Sequence, residues 1–271
     1  EIELIKGNNP RWTFYSLEEL DITNIESVKK KFKHKSVDFI INCAAYTNVD
    51  GAEDEKEKAF SVNELGIKNL IKLSEEKNSK LIHVSTDYVF DGNSKTPYKE
   101  NDITNPHGVY GKSKLAGEIA IIESSIKSVI IRTSWLYSNF GNNFVKTMLR
   151  IGKERTSVAV VGDQIGSPTN AEDLSKMIID IINNKDYEWV VGDIFHYSNE
   201  GFCSWFDFSN EIFSYKKINI EVKKLFTHEF KTKTMRPKYS LLDKSKIKST
   251  FRVKINDWKF SLRQMLNREI I

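Results

Sequence analysis

The sequence predicts an α/β fold, a doubly wound parallel sheet with a smaller C-terminal lobe. Three observations predict it. Short, continuous apolar runs recur at Val37-Asp38-Phe39-Ile40-Ile41-Asn42, Lys80-Leu81-Ile82-His83-Val84 and Ser128-Val129-Ile130-Ile131-Arg132. Helical patterns alternate with them. Each run ends in small or polar residues: Ala44-Ala45, Ser85-Thr86 and Thr133-Ser134-Trp135. Strands that are apolar along their whole length are buried on both faces, as in a parallel sheet covered by helices. Ligands of such sheets bind beyond the carboxyl ends of the strands.

Each element follows from local pattern. Residues 1–6 read as helix with no cap before them. Residues 12–16, Trp-Thr-Phe-Tyr-Ser, alternate and are rich in strand formers, which predicts a strand. Thr23 or Asn24 can cap an amphipathic helix over 25–32. The strand over 37–42 stops at Cys43-Ala44-Ala45-Tyr46-Thr47, where small residues let a ligand approach the backbone. Residues 50–77 are helical with a break near Gly66, and Asn63 lies inside the pattern. A helix over 110–124 follows the second strand. Beyond Phe140 the spacing predicts helices over 143–153, 171–182, 204–215 (capped by Ser204) and 256–266, with strands over 158–161 and 194–197. Residues 1–139 are therefore the main sheet domain, completed by parts of 157–198, and 140–271 form mainly the second lobe.

Composition excludes several classes. Hydrophobic content is 39% and charged content 29%, ordinary for a globular protein. No apolar run approaches the ~20 residues of a membrane span, and no signal-peptide pattern is present, so no membrane partner and a cytoplasmic location are expected. Cys43 and Cys203 are too few for a disulfide framework. Both stand beside apolar residues and read as small buried hydrophobes. The net charge of +4 is uneven. From Lys223 onward there are 14 Lys and Arg against 4 Asp and Glu, a net of +10, which leaves −6 for the rest. Such asymmetry fits a phosphorylated ligand or a solvated surface. The basic residues form no recognisable nucleic-acid module, so no nucleic acid is expected.

Chemistry concentrates between Val84 and Lys114. Thr86 ends a buried strand. Tyr110 and Lys114 are four apart at a helix start and share a face. A strand-end hydroxyl facing a Tyr and a Lys is a proton-transfer set. A free phenol ionises near pH 10. A lysine one turn away favours the phenolate and is expected to draw that value toward working pH.

The set Thr86…Tyr110-x3-Lys114 after a parallel strand resembles the short-chain dehydrogenase/reductase superfamily. Longer strings narrow the resemblance: Asn42-Cys43-Ala44-Ala45-Tyr46-Thr47-Asn48-Val49-Asp50, Ser85-Thr86-Asp87-Tyr88-Val89-Phe90-Asp91-Gly92, Arg132-Thr133-Ser134-Trp135-Leu136-Tyr137, and Asp163-Gln164-x3-Pro168-Thr169. They look like the dTDP-4-dehydrorhamnose reductase family, in motif order from Glu1 to the last helix. The resemblance implies a Rossmann-like fold and a substrate-binding C-terminal lobe. It implies hydride transfer from NADPH or NADH to C4 of dTDP-4-keto-6-deoxy-L-mannose, with Thr86, Tyr110 and Lys114 catalytic. Lys114 would also bond the nicotinamide ribose. Asp21 and Ile22 match positions near the adenine, and Ala44, Ala45 and Tyr46 match positions beside the ribose and phosphates. Asp87 and Trp135 match sugar contacts, although Trp135 also reads as a core aromatic. Arg236, in Met235-Arg236-Pro237, suits the diphosphate, because a guanidinium binds phosphate bidentately. Thr169 is either a helix cap or a ligand contact.

Some family members hold Mg2+ at a homodimer contact, and Glu1, Glu172 and Asp173 match those positions. The same two helix residues also suit a helix N-terminus electrostatically. Family members open with a strand and a Gly-x-x-Gly-x-x-Gly loop for the cofactor pyrophosphate. Glu1-Ile2 matches the residues just after that loop, so the given sequence is expected to lack its first strand. Another nucleotide-sugar epimerase or dehydratase, or a non-catalytic regulatory subunit, remains compatible with these motifs.

Overall fold

A computed structural model of the chain describes residues 1–7 and 9–268. The strands are β1 (Phe39–Asn42), β2 (Lys80–Thr86), β3 (Ser128–Thr133), β4 (Leu136–Tyr137), β5 (Ser157–Val161), β6 (Ile165–Gly166), β7 (Thr169–Asn170), β8 (Asp193–His196), β9 (Cys203–Ser204) and β10 (Glu221–Leu225). The helices are α1 (Ile2–Lys6), α2 (Ile25–Phe32), α3 (Gly51–Asp54), α4 (Lys56–Phe60), α5 (Gly66–Lys77), α6 (Val109–Ile122), α7 (Phe144–Glu154), α8 (Ala171–Asn183), α9 (Trp205–Tyr215), α10 (Ser245–Phe251) and α11 (Trp258–Leu266).

The main sheet is four-stranded and parallel, in the order β1-β2-β3-β8. Alternate side chains of a strand leave opposite faces, and this sheet uses both. Leu81 and Ile130 pack against Ile67, Ile71 and Ile121 of α5 and α6. Their neighbours Ile82, Val129 and Ile131 pack against Leu174, Met177, Ile178 and Ile181 of α8 and against Ile247 and Phe251 of α10. Burying each such aliphatic side chain is worth roughly 1.5–3 kcal/mol, so continuous apolar runs force a sheet sandwiched by helices.

A second core joins Tyr137, Val145, Met148, Phe208, Ile212, Trp258 and Leu262. Of residues 157–198, Asp193–His196 enters the main sheet. Ser157–Val161 instead pairs in parallel with β10. Of two further short ladders, β4 with β7 ties the halves of the chain together, and β6 with β9 lies within the second half.

Several local expectations change. Residues 12–16 enter no ladder, because alternation makes a strand only where a neighbouring strand accepts its N–H groups. The helical stretch 50–77 breaks at Glu55 rather than near Gly66, where a π-helical turn, Ser61–Leu65, runs on into α5 without interruption. Asn24 caps α2 and Ser204 caps α9 with a full capping box. The cap of α8 is Asn170 rather than Thr169, whose hydroxyl turns to Thr133. Cys203 is buried, but Cys43 is exposed at the end of β1. Among the described residues, no helix is long and apolar enough to cross a membrane.

Candidate active site

The carboxyl ends of β1, β2 and β3 bring Ala44, Thr86 and Ser134 to one edge. Thr86 is buried; its Oγ1 accepts from the Tyr88 N–H (3.2 Å) and donates to Asp87 Oδ1 (3.0 Å). Asp87 is also buried, and its Oδ2 has no hydrogen-bond partner. Burial pushes the Asp87 carboxyl up to about 7, against hydrogen bonds from Thr86 and Ser240.

Tyr110 opens α6 opposite this edge. Glu53 of α3 caps that helix by accepting from the Val109 N–H (2.8 Å). Gly111 lets α6 come close: a Cβ there would stand 2.3 Å from the Tyr88 carbonyl oxygen. The Tyr88 and Tyr110 rings meet edge to face, centroids 5.5 Å apart. Burial pushes the Tyr110 phenol up; the neighbouring Thr86 hydroxyl opposes this, and Asp87 and Tyr88 add to it. The expected pull by Lys114 toward neutral pH is absent from these influences. The Lys114 amine is buried and turned beneath the site, donating to the Val84 carbonyl (2.7 Å) and meeting His83 Nε2 (3.2 Å). Burial draws Lys114 down to about 8, with Glu118 and Cys43 opposing. Tyr110 is therefore a protonated phenol at neutral pH, which suits a proton donor.

On the β1 side, Ala44 is exposed and its backbone is tied to the Asn42 side chain. Asn63, on the inner face of the π turn, holds Tyr46 by accepting from its N–H (2.9 Å) and donating to its carbonyl (3.1 Å). The Tyr46 hydroxyl donates to Glu55, a bond that raises the phenol to about 12. Asp21 accepts from Thr23, and the Ile22 side chain is core, packed with Val28, Leu70 and Leu73.

Trp135 has φ +47°, a conformation that costs a non-glycine residue on the order of 1–3 kcal/mol. Its indole stacks on Trp205 at 3.5 Å between centroids, and Gly166 leaves room for the ring. Arg236 reaches across from the C-terminal half; it donates to Asp50 Oδ2 (2.7 Å) and to the Tyr88 hydroxyl (3.3 Å).

The Mg2+ expectation, made for a contact between two copies of the chain, finds no support within one copy. Among the described residues no three metal-capable side chains converge. Glu172 is held by Lys176 and Arg268, which keep its carboxyl below the usual range despite burial. Asp173 accepts from Asn199 and Ser261. Within one chain, Lys176 and Arg268 hold the Glu172 oxygens and Asn199 and Ser261 hold Asp173, the oxygens that Mg2+ would need.

Sequence reading missed His83, Asp50 and Glu53 as parts of the site. Each is recruited by a residue 31 or more positions away, and no local pattern signals that.

The RmlD substrate binding domain family model matches residues 2–270. A dTDP-4-dehydrorhamnose reductase from Aggregatibacter actinomycetemcomitans is 41% identical, covering 95% of this chain and 91% of the relative. The crystal structure of a dTDP-4-dehydrorhamnose reductase from Clostridium acetobutylicum is 38% identical with TM-score 0.92, covering 98% and 93%. That of Bacillus anthracis in complex with NADP is 41% identical with TM-score 0.87, covering 93% and 88%. With an α/β sheet that sets Thr86 at the end of β2 against Tyr110 and Lys114 of α6, and with relatives matched over nearly its whole length, the chain belongs to the dTDP-4-dehydrorhamnose reductase family.

Proposed function

We propose that the chain reduces the C4 ketone of dTDP-4-dehydro-L-rhamnose to give dTDP-L-rhamnose, with NADPH as reductant and in the cytoplasm. The observation that carries this is the placement of Tyr110, at the start of α6 and against the Tyr88 ring, beside the buried Thr86 hydroxyl at the carboxyl end of β2. The NADP complex of the Bacillus anthracis relative supports NADPH over NADH. Residues 1–139 hold the cofactor, and 140–271 mainly hold the sugar nucleotide.

The exposed, small Ala44 at the end of β1 fits a cofactor approaching the backbone. Ala44, Ala45, Tyr46 and Lys114 would hold its ribose and nicotinamide half, and Asp21 with the Ile22 backbone its adenine end. When bound, NADPH supplies hydride to C4. As the ketone oxygen gains negative charge, Tyr110 gives it the phenolic proton, and Thr86 donates a hydrogen bond that stabilises the oxyanion. Asp87, able to hold or release a proton near neutral pH, meets a sugar hydroxyl. Trp135, backed by Trp205, borders the sugar, and Arg236 exchanges Asp50 for the diphosphate.

Tyr110→Phe tests the assignment. Turnover falls roughly 10²-fold or more while the NADPH Kd stays within about twofold, measured by steady-state kinetics and fluorescence titration. Near-normal turnover would remove Tyr110 as the proton donor.

A further inference from the structure

Trp135 stands two residues beyond β3 at φ +47°, a conformation that a bulky residue keeps only where its surroundings impose it. The surroundings are specific. The Trp135 carbonyl accepts from the Thr169 N–H (3.2 Å), and the Ser134 hydroxyl beside it donates to the Ser167 carbonyl (2.9 Å). The indole meets two walls. The first is Trp205, nearly parallel at 8° with ring centroids 3.5 Å apart. Unconstrained aromatic pairs settle offset or edge-on, with centroids about 4.5–7 Å apart, so the elements that carry these two rings press them together. The second wall is Gly166, where a Cβ would stand 2.5–2.7 Å from Cε2, Cζ2 and Nε1 of the indole. One ladder carries both walls: Gly166 of β6 pairs with Cys203 of β9, two residues before Trp205. Trp205 is itself fixed. It opens α9 behind the Ser204–Asp207 capping box and packs on Phe144 of α7, centroids 4.6 Å apart.

We propose that Trp205 is a positioning residue: it holds Trp135 in its strained backbone conformation, against Gly166, and so shapes the sugar side of the active site without touching the ligand. This rests on the reading of Trp135 as the border of the sugar. Both indoles pack on the second core. Only Trp135 also follows a strand of the main sheet, on the edge where Thr86 ends β2. The stack therefore transmits the placement of the C-terminal lobe to the sugar. Without it, the strain at Trp135 favours return to negative φ, which redirects the Cα–Cβ bond and takes the indole away from the sugar. The diphosphate and the cofactor are held by other elements, through Arg236 and through Ala44 to Tyr46, and their binding is spared.

The test separates the sugar from the nucleotide. Calorimetric titrations with dTDP-L-rhamnose, dTDP and NADPH are run on the wild-type protein and on variants. Trp205→Leu raises the Kd for dTDP-L-rhamnose about 10-fold, while those for dTDP and NADPH stay within about twofold. Trp205→Phe keeps an aromatic wall and stays within about threefold of wild type for all three ligands. Gly166→Ala pushes the indole from its other wall with Trp205 in place, and it reproduces the selective loss even where Trp205→Leu does not fold. Equal losses for dTDP and dTDP-L-rhamnose, an unchanged dTDP-L-rhamnose Kd in Trp205→Leu or Gly166→Ala, or a Trp205→Phe protein as weak as Trp205→Leu would overturn the positioning role. A wild-type protein that binds neither nucleotide would remove the reductase reading and the proposal with it, so the two failures are told apart by the wild-type titrations.

Discussion

Asp87 carries one bonded carboxylate oxygen and one bare one, side by side in a buried pocket. Its folded value of about 7 lies above the ordinary 3.8, because burial penalises the charge. The folded state therefore binds the proton more tightly than the unfolded chain. That contribution is complete below pH 4 and is lost as pH rises through 7. One pH unit corresponds to about 1.4 kcal/mol, so Asp87→Asn gains up to about 4 kcal/mol over wild type between pH 4 and pH 7. Urea unfolding of both proteins across that range measures it; a pH-independent difference would contradict the account. At this scale Thr86, Tyr110 and Lys114 were legible, because a strand end and a four-residue helical spacing are local patterns. The direction of Lys114 was not. It depends on His83, 31 residues earlier, and on the Val84 carbonyl.

At the scale of elements, α6 is fastened to the sheet by a buried ion pair. Arg132 of β3 donates from Nε and Nη2 to Glu118 of α6, at 3.1 Å and 2.7 Å, and Ser85 of β2 donates to the same carboxylate. Removing one partner strands a charge in the interior, which costs about 3–5 kcal/mol. Arg132→Met and Glu118→Gln are each expected to lose that much in chemical denaturation, and the double variant less than their sum. Equal and additive losses would show that the pair is not coupled. The apolar runs of the main sheet were readable because each is buried on two faces. Strand β10 was not, since its pattern Glu221-Val222-Lys223-Lys224-Leu225 is mostly polar and exposed. It forms because β5 offers a ladder. Residues 12–16 show the converse, a strand-like pattern with no ladder beside it.

Across the whole molecule, the basic segment from Lys223 onward reaches back to the acidic loop after β1. Thr234 donates to Asp50, Lys233 pairs with Asp54, and Arg236 pairs with Asp50 beside Tyr88. The charge asymmetry fitted a phosphorylated ligand or a solvated surface alike, and only the fold brings Arg236 to Asp50 and Tyr88. A charge-assisted hydrogen bond is worth roughly 1.5–3 kcal/mol, so Arg236→Ala is expected to raise KM for the nucleotide sugar by about 10- to 100-fold. The effect on kcat is smaller, and Arg236→Lys recovers only part of the loss, because lysine lacks the planar fork. An unchanged KM would remove Arg236 from the diphosphate.

The central claim is ketone reduction by proton donation at Tyr110, and its most direct measurement is stoichiometry. With dTDP-4-dehydro-L-rhamnose and NADPH, the account predicts one NADPH oxidised for each dTDP-L-rhamnose formed, followed by absorbance and product chromatography together. Sugar conversion without NADPH oxidation, or no conversion by the folded protein, would contradict it.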